Sequence, residues 1–306
     1  MIVFAVVVAY YPNPETLARL AQAIGADGAN VVVVDNTPSP TDLPLPGECT
    51  VLRLGDNMGI ARAQNVGIAH ARERGAEVIV FFDQDSAIDS AFVPKLVSSL
   101  DAGRPGVVGA VYFDETLGFE GASYKLTPRG YPKQVRTGAA GEPYPVDVRI
   151  SSGSAATAVT FDVAGLMDED FFIDYVDIEW CLRARSKGVP IRVDPGVSMK
   201  HSIGKLSVDV GPLKVFVDGP VRTYYRVRNA FLLARKPSVP LLFSAKEITS
   251  ELVHHFLQLF VADRRVERLG AYLLGIRHGL AGVAGRKPDR VATAASTPSS
   301  PSGTQP

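Results

Sequence analysis

Cysteine is scarce in this sequence: only Cys49 and Cys181 occur among 306 residues. Neither has a metal-ligand spacing, and no disulfide framework is implied, which suits a reducing cytosol. Long hydrophobic runs are missing too. No stretch reaches the ~18 apolar residues of a transmembrane helix. Net charge is absent, with Lys+Arg and Asp+Glu both at 32, so the whole molecule lacks the basic signature of a nucleic-acid binder. Residues 1–9 are apolar, but no basic segment precedes them and no small-residue cleavage site follows. They read as a first strand rather than a signal peptide. There is no G-x-G-x-x-G and no P-loop, which disfavours a Rossmann dehydrogenase or a P-loop enzyme. What remains is an ordinary globular composition, 46% hydrophobic and 21% charged, long enough for one large domain or two small ones.

The stretch that organises the chain is Val78-Ile79-Val80-Phe81-Phe82-Asp83-Gln84-Asp85-Ser86. Five apolar residues in a row read as a strand buried on both faces, as in parallel sheets. The run stops at two carboxylates spaced i, i+2, which point the same way from an extended chain. Asp83 and Asp85 can therefore face one ligand from the carboxyl end of a central strand, where open α/β sheets place ligands. Like charges so close repel unless a cation sits between them or one takes a proton. That suits a divalent metal carrying a phosphorylated ligand. A solvated turn with an Asp cap for a helix near Ser90 explains the same residues.

Around this strand the sequence alternates strands and helices. Strands are predicted at Ile2–Ala9, Val31–Val34, near Val51–Leu54 and at Val107–Tyr112. Helices are predicted from Pro14 to about Ile24, from Ile60 to Arg74 and near 90–101. The alternation predicts a parallel, doubly wound sheet. Tyr10-Tyr11, Asp35-Asn36 and Asp83-Asp85 would then share one sheet edge. Asp35 could accept hydrogen bonds from a ribose or base, or merely cap its turn. Arg62, one turn into its helix, could reach a diphosphate or stay an exposed helix charge. Residues 113–150, rich in Gly, Pro and Tyr, read as loops and short antiparallel strands.

A second acidic cluster follows, with six carboxylates between Asp168 and Glu179 interleaved with large apolar groups. A helix starting near Asp177 would place that residue at its cap or first turn, where the dipole stabilises an anion. Glu179 and Arg183 stand i, i+4, the spacing of a solvated ion pair. Trp180 serves packing or ligand stacking. Strands near Ile191–Val193 and Val197–Lys200 end at His201, a candidate metal ligand or diphosphate donor.

Taken in order, these pieces resemble the family 2 glycosyltransferases of GT-A fold. The resemblance rests on Val8-Ala9-Tyr10, Val34-Asp35-Asn36, Asn57-x-Gly59-Ile60-Ala61-x-Ala63-x-Asn65-x-Gly67-Ile68, Asp83-Gln84-Asp85, Ser152-Gly153-Ser154 and Phe171-Phe172-Ile173-Asp174-Tyr175-Val176-Asp177-Ile178-Glu179. It continues with His201-Ser202-Ile203-Gly204 and Tyr224-Tyr225-x-x-Arg228-Asn229, covering about residues 1–235. Within the family, Phe-Phe-Ile-Asp-x-Val-Asp-x-Glu followed by His-x-Ile-Gly resembles bacterial rhamnosyltransferases that extend cell-surface polysaccharides. The resemblance implies an inverting, metal-dependent transfer, here of rhamnose from dTDP-rhamnose, to a hydroxyl of a glycan or lipid-linked glycan. It implies Tyr10, Asp35, Arg62, Asp83 and Arg228 on the donor, Asp85 and His201 on Mg²⁺ or Mn²⁺, and Asp177 as general base. Gly153, Asp174, Glu179 and Trp180 fall on the acceptor side. Two departures stand out: Val176 precedes Asp177 where many members have Glu, and Tyr11 replaces the common Asn after the first-strand Tyr. A non-catalytic nucleotide-sugar binder is the competing reading, ahead of a sugar nucleotidyltransferase, whose basic Gly-rich loop Tyr10-Tyr11-Pro12 does not supply.

Beyond this, 236–285 shows apolar residues at helical spacing and 286–306 reads as a disordered tail rich in Ser, Thr, Pro, Ala and Gly. Residues 222–290 hold thirteen Lys/Arg against five acids. A basic amphipathic helix pair could lie on the inner face of an anionic membrane, or pack on the catalytic domain or on a second subunit of a homo-oligomer. A cytoplasmic enzyme is expected.

Overall fold

The computed structural model describes residues 1–39, 43–114, 119–121, 123–135, 141–200, 206–210 and 213–288. Its centre is a mixed sheet built on β1 (Val3–Ala9), β2 (Asn30–Asp35), β3 (Thr50–Arg53) and β4 (Val78–Asp83). These four run parallel in the spatial order β3-β2-β1-β4. Beyond β4 come β10 (Ser154–Thr157), β5 (Val107–Asp114), β11 (Ile191–Lys200) and β9 (Tyr144–Pro145). β10 is antiparallel to both its neighbours, so β5 and β11 regain the direction of β1–β4. The result is a doubly wound, mainly parallel sheet of the GT-A type with a helical extension at its C-terminal end.

The apolar runs fold this way because both sheet faces are covered. Alternate residues separate into two layers. Phe4, Val6, Val32, Val34, Ile79 and Phe81 face one layer, with α2 (Ile60–Glu73), α4 (Ala158–Ala164) and α5 (Val176–Ser186). Val3, Val7, Val31, Val33, Val80 and Phe82 face the other, with α1 (Pro14–Ala26) and α3 (Phe92–Val97). Asn13 caps α1 by accepting from Thr16 N at 3.0 Å, and Pro14 opens it.

Three sequence expectations change. The helix expected over 90–101 is only α3, and its first turn is capped from a distance: Asp27, just beyond α1, accepts from Ala91 N and Val93 N at 2.7 and 2.9 Å. The two strands expected after Pro190 are the single β11, with a register shift between Asp194 and Ser198. Pro195 lies in that interval and has no N–H to give the ladder. The central β10 has no counterpart among the predicted strands. Its Ser-Ala-Ala-Thr sequence is fully buried but neither alternating nor rich in β-branched residues.

The insertion between β5 and β10 holds short antiparallel pieces, β6 (Phe119–Glu120) against β5 and β7 (Ser123–Leu126) against β8 (Pro132–Val135). A two-stranded ribbon, β12 (Leu206–Val210) with β13 (Leu213–Val217), precedes α6 (Pro220–Leu233), α7 (Leu241–Val261) and α8 (Arg265–Ala281). No helix among the described residues is long and apolar enough to cross a membrane. Arg286 and Lys287, read as the start of a tail, are instead held: Arg286 pairs with Asp56 at 2.6 Å and Lys287 N donates to Tyr225 Oη at 2.8 Å.

Candidate active site

The carboxyl ends of β1, β2 and β4 lie side by side, with Val8 opposite Asp83 and Ala9 opposite Asp35. Gln84 ties this edge together. Its Oε1 accepts from Tyr10 N at 2.6 Å and its Nε2 donates to Tyr10 O at 3.2 Å. The middle residue of Asp83-Gln84-Asp85 is thus a backbone clamp, while both aspartates line the cavity beside it. Tyr10 is exposed. Asp35 is buried, and its Oδ1 accepts from Thr37 N at 3.1 Å. Asn36 reaches the next loop, donating to Asn57 Oδ1 at 3.1 Å and accepting from Met58 N at 2.8 Å. The loop ends at Gly59, whose φ of 85° favours glycine and where a Cβ would lie 2.6 Å from Phe172 O.

The two acidic stretches, far apart in sequence, line one cavity of about 660 Å³. Asp83 and Asp85 come from the end of β4, Asp174 and Asp177 from the entry to α5. Ser152 buttresses the first pair: its Oγ accepts from Asp83 N at 3.1 Å and lies 3.0 Å from Ser86 Oγ. The far wall is helix α7, through Phe243, Lys246, Glu247 and Glu251. Tyr112 and Tyr124 line the cavity from the β5 and β7 side.

Asp177 opens α5 and accepts from Ile178 N at 2.9 Å. Its carboxyl is pushed up to about 6, first by burial. The Ile178 N–H works against this, and the like charges of Asp83 and Asp174 add to it. Asp174 is tied to Arg222 by two nitrogens at 2.7 and 3.1 Å. The Tyr175 hydroxyl lies 3.0 Å from both Glu247 and Glu251, and burial with those two charges pushes it well above the usual phenol range.

Phe172, Asp174 and Tyr175 all take positive φ, at 63°, 59° and 66°. Each such residue costs of order 1 kcal/mol or more and persists only where its surroundings fix it. Helix α6 does that. Asn229 Nδ2 lies 2.9, 2.7 and 3.0 Å from the carbonyls of Phe171, Ile173 and Asp174. Arg228 donates to the carbonyls of Asp170, Phe171 and Gly285 and to Asn229 Oδ1.

Arg228 is therefore not on the cavity. It is wholly buried and stacks beside Tyr224 and Tyr225, so it scaffolds the acidic loop instead of meeting a diphosphate. Arg62 pairs with Glu169 at 3.2 Å and does not line the cavity. Glu179 is buried and grips Arg183 through two 2.8 Å bonds, so the pair expected in solvent is a core clasp. Trp180 is also core, donating from Nε1 to Gly165 O at 2.8 Å and packing on Phe161. Gly153 turns the chain at φ 69° and its N donates to Phe81 O at 2.8 Å, while Ser151 and Ser152 face the cavity. His201 lies outside the described residues.

A third group was not foreseen. Asp218, His254 and His255 offer atoms within 4.8 Å of one another, a spacing a metal could use. Arg226 Nη1 already holds Asp218 at 3.2 Å. Gln258 lies 2.9 Å from His254 Nε2 and 3.3 Å from His255 Nδ1. Cations and amide bonds so close disfavour a metal here. The oxygen donors Asp83 and Asp85, open to a cavity, suit a hard divalent cation better.

A model of glycosyl transferase family 2 matches residues 39–149. The chain is 37% identical over 286 residues to a dTDP-rhamnosyl transferase, RfbF, of Shigella flexneri, covering 92% of this chain and 97% of that one. Among solved structures, S. aureus TarS 1-349 in complex with UDP-GlcNAc superposes with a TM-score of 0.54 at 15% identity over 92% of this chain and 82% of that one. GalNAc-T7 with UDP, GalNAc and Mn2+ gives 0.53 at 13% identity, over 86% of this chain, which spans 58% of GalNAc-T7. These two likenesses speak for the fold. The RfbF similarity runs almost end to end, so the chain belongs to glycosyl transferase family 2.

Proposed function

We propose that the chain transfers rhamnose from dTDP-rhamnose to a hydroxyl of a glycan or lipid-linked glycan, with inversion and in one displacement. The observation that carries this is the cavity shared by Asp83, Asp85 and Asp177, with the Asp177 carboxyl at about 6. The RfbF similarity favours dTDP-rhamnose as donor.

Tyr10, Asp35 and Asp83 form the nucleoside edge, since they end three adjacent strands. Asp85, with Asp83 beside it, would hold Mg²⁺ or Mn²⁺ through carboxylate oxygen. A divalent cation there would neutralise charge growing on the departing nucleoside diphosphate. Asp177 takes the proton from the acceptor hydroxyl as that oxygen attacks the anomeric carbon from the side opposite the leaving group. An acid near 6 is ionised at neutral pH yet basic enough to accept, the match general-base catalysis needs. Asp174, paired with Arg222, is one of the like charges that add to burial in raising Asp177. The acceptor enters along α7, where Phe243 offers an apolar face and Lys246 with Glu247 a polar one.

Release of dTDP from dTDP-rhamnose by the purified full chain, with Mn²⁺ and a polysaccharide-derived acceptor, tests the reading. Turnover with UDP-hexoses and none with dTDP-rhamnose would sink it.

A further inference from the structure

Glu247 is short of a hydrogen-bond donor. It stands on α7, in the far wall of the cavity, with its side chain 13% exposed. Its Oε2 lies 3.0 Å from the Tyr175 hydroxyl, and so does Oε1 of Glu251. A phenol carries one hydrogen, so it serves one of the two carboxylates at a time. Glu251 has other donors. Arg226 reaches it at 2.7 and 3.2 Å, and His255 Nε2 lies 3.0 Å from its Oε2. Glu247 has, among the described residues, Lys246 alone besides, whose Nζ meets Oε1 at 2.7 Å. That pair joins neighbours in sequence, which helix geometry turns apart, so it is weakly fixed. The ammonium keeps two further hydrogens.

We infer that Lys246 and Glu247 together read two neighbouring hydroxyls of the acceptor, and that the acceptor sugar is a neutral pyranose. Glu247 accepts from one hydroxyl while Lys246 donates to the oxygen of the next. A sugar hydroxyl is both donor and acceptor, so one vicinal pair satisfies both side chains. Ser250, about one turn along α7, lines the same wall with a further hydroxyl. Tyr124 lines the cavity from β7 and gives a ring on which the C–H face of a pyranose can lie. The turn after β7 packs on the start of α7, where a Cβ on Gly130 would come within 2.3 Å of Pro240 Cβ. Charge excludes an acidic sugar. Six carboxylates line the cavity against four cations. Three of those cations already hold a carboxylate: Arg222 holds Asp174, Arg226 holds Glu251 and Lys246 holds Glu247. A uronate would bring one more like charge to this wall. The inference rests on the transferase reading of the cavity, and not on dTDP-rhamnose being the donor.

The test follows release of dTDP from dTDP-rhamnose by the full chain with Mn²⁺, stimulated by methyl hexopyranosides, their monodeoxy forms and a methyl uronoside. Calorimetry without acceptor measures donor affinity beside it. A neutral hexoside should stimulate release and the uronoside should not. Removing either of the two hydroxyls should raise acceptor KM about 10–100-fold, the range of a hydrogen bond to a charged group. Glu247→Gln should raise KM for the parent hexoside by a similar factor, scarcely raise it for the matching deoxy form, and leave donor affinity unchanged. Lys246→Met, at a residue that bonds only Glu247 among the described residues, should do the same for the neighbouring deoxy form. Equal losses on the parent and every deoxy form would mean a structural role and overturn the inference. So would stimulation by the uronoside alone, or by no neutral hexoside. A chain that fails to bind dTDP-rhamnose but turns over another nucleotide sugar sinks the proposed donor instead, and the same acceptor series with that sugar then decides this inference.

Discussion

Asn229 donates its side-chain amide to the carbonyl of Asp174, at 3.0 Å, from a helix that contributes no backbone to the acidic loop. The left-handed turn carrying Asp174 and Tyr175 into α5 is held from behind by that amide and by Arg228. Asn229→Ala should cost about 2–4 kcal/mol, since one side chain satisfies several buried carbonyls. Because the loop aims Asp177, kcat should fall more than donor KM rises. Thermal melts and steady-state kinetics together check this. A melt within a degree of wild type would remove the scaffolding role.

Asp177→Asn should lower turnover by about 10²–10⁴ while leaving donor affinity nearly unchanged. The same change should not weaken the fold. A carboxyl raised from 3.8 to about 6 favours the protonated native state, so its ionisation costs stability as pH climbs from near 4 through 6. The asparagine removes that cost and should raise stability at pH 7 by roughly 1–2 kcal/mol, allowing for residual solvent contact. Denaturation at pH 4.5 and 7.5 gives the comparison. Full activity in this variant would reassign the base.

The acid limb of kcat/KM should have its midpoint near pH 6, with unit slope, as Asp177 takes up its proton. Asp174→Asn removes a like charge and should move that limb to lower pH. An unmoved limb would mean the titrating group is not Asp177.

Asp85→Ala should weaken donor binding that depends on Mg²⁺ or Mn²⁺. Isothermal titration with and without EDTA measures it. Equal affinity in both conditions for the wild type would remove the metal role. Asp218→Asn should leave the metal response intact, since Asp218 is already held by Arg226.

Glu251→Gln should destabilise the fold at pH 7 and much less at pH 3. Burial works to raise this carboxyl, but His255 and Arg226 hold it far below the usual range. A depressed pKa gives stability that is present above about 4.5 and fades as acid is added. Urea unfolding at the two pH values reads the difference.

The sheet was legible because both its faces are covered, which makes β1, β2 and β4 continuous apolar runs. Their abrupt polar ends carried the site, and the acidic stretch before α5 supplied the rest of the cavity. Misreadings arose where a polar group has a partner distant in sequence. Arg228 looked like an anion ligand, yet its acceptors are main-chain carbonyls, which leave no mark in a sequence. Glu179 reads as half of a solvated pair with its near neighbour Arg183, yet its carboxylate is buried, and Trp180, open in sequence to packing or stacking, packs on Phe161 and bonds Gly165 O. Gln84, between two prominent aspartates, carried no signal of its clamp on Tyr10. The wall made by α7 was invisible, because its Lys246 and Glu247 read only as helix surface.

The chain after α8 turns back to the catalytic module. Gly285 N donates to Asp170 O at 2.7 Å, and Gly285 O receives Arg228. A stop codon placed after Leu280 would therefore do more than trim an appendage. It would strip a carbonyl from the fully buried Arg228 guanidinium and loosen the strap behind the acidic turn. Shortened versions for crystallisation should end beyond Lys287, and affinity tags belong farther out still.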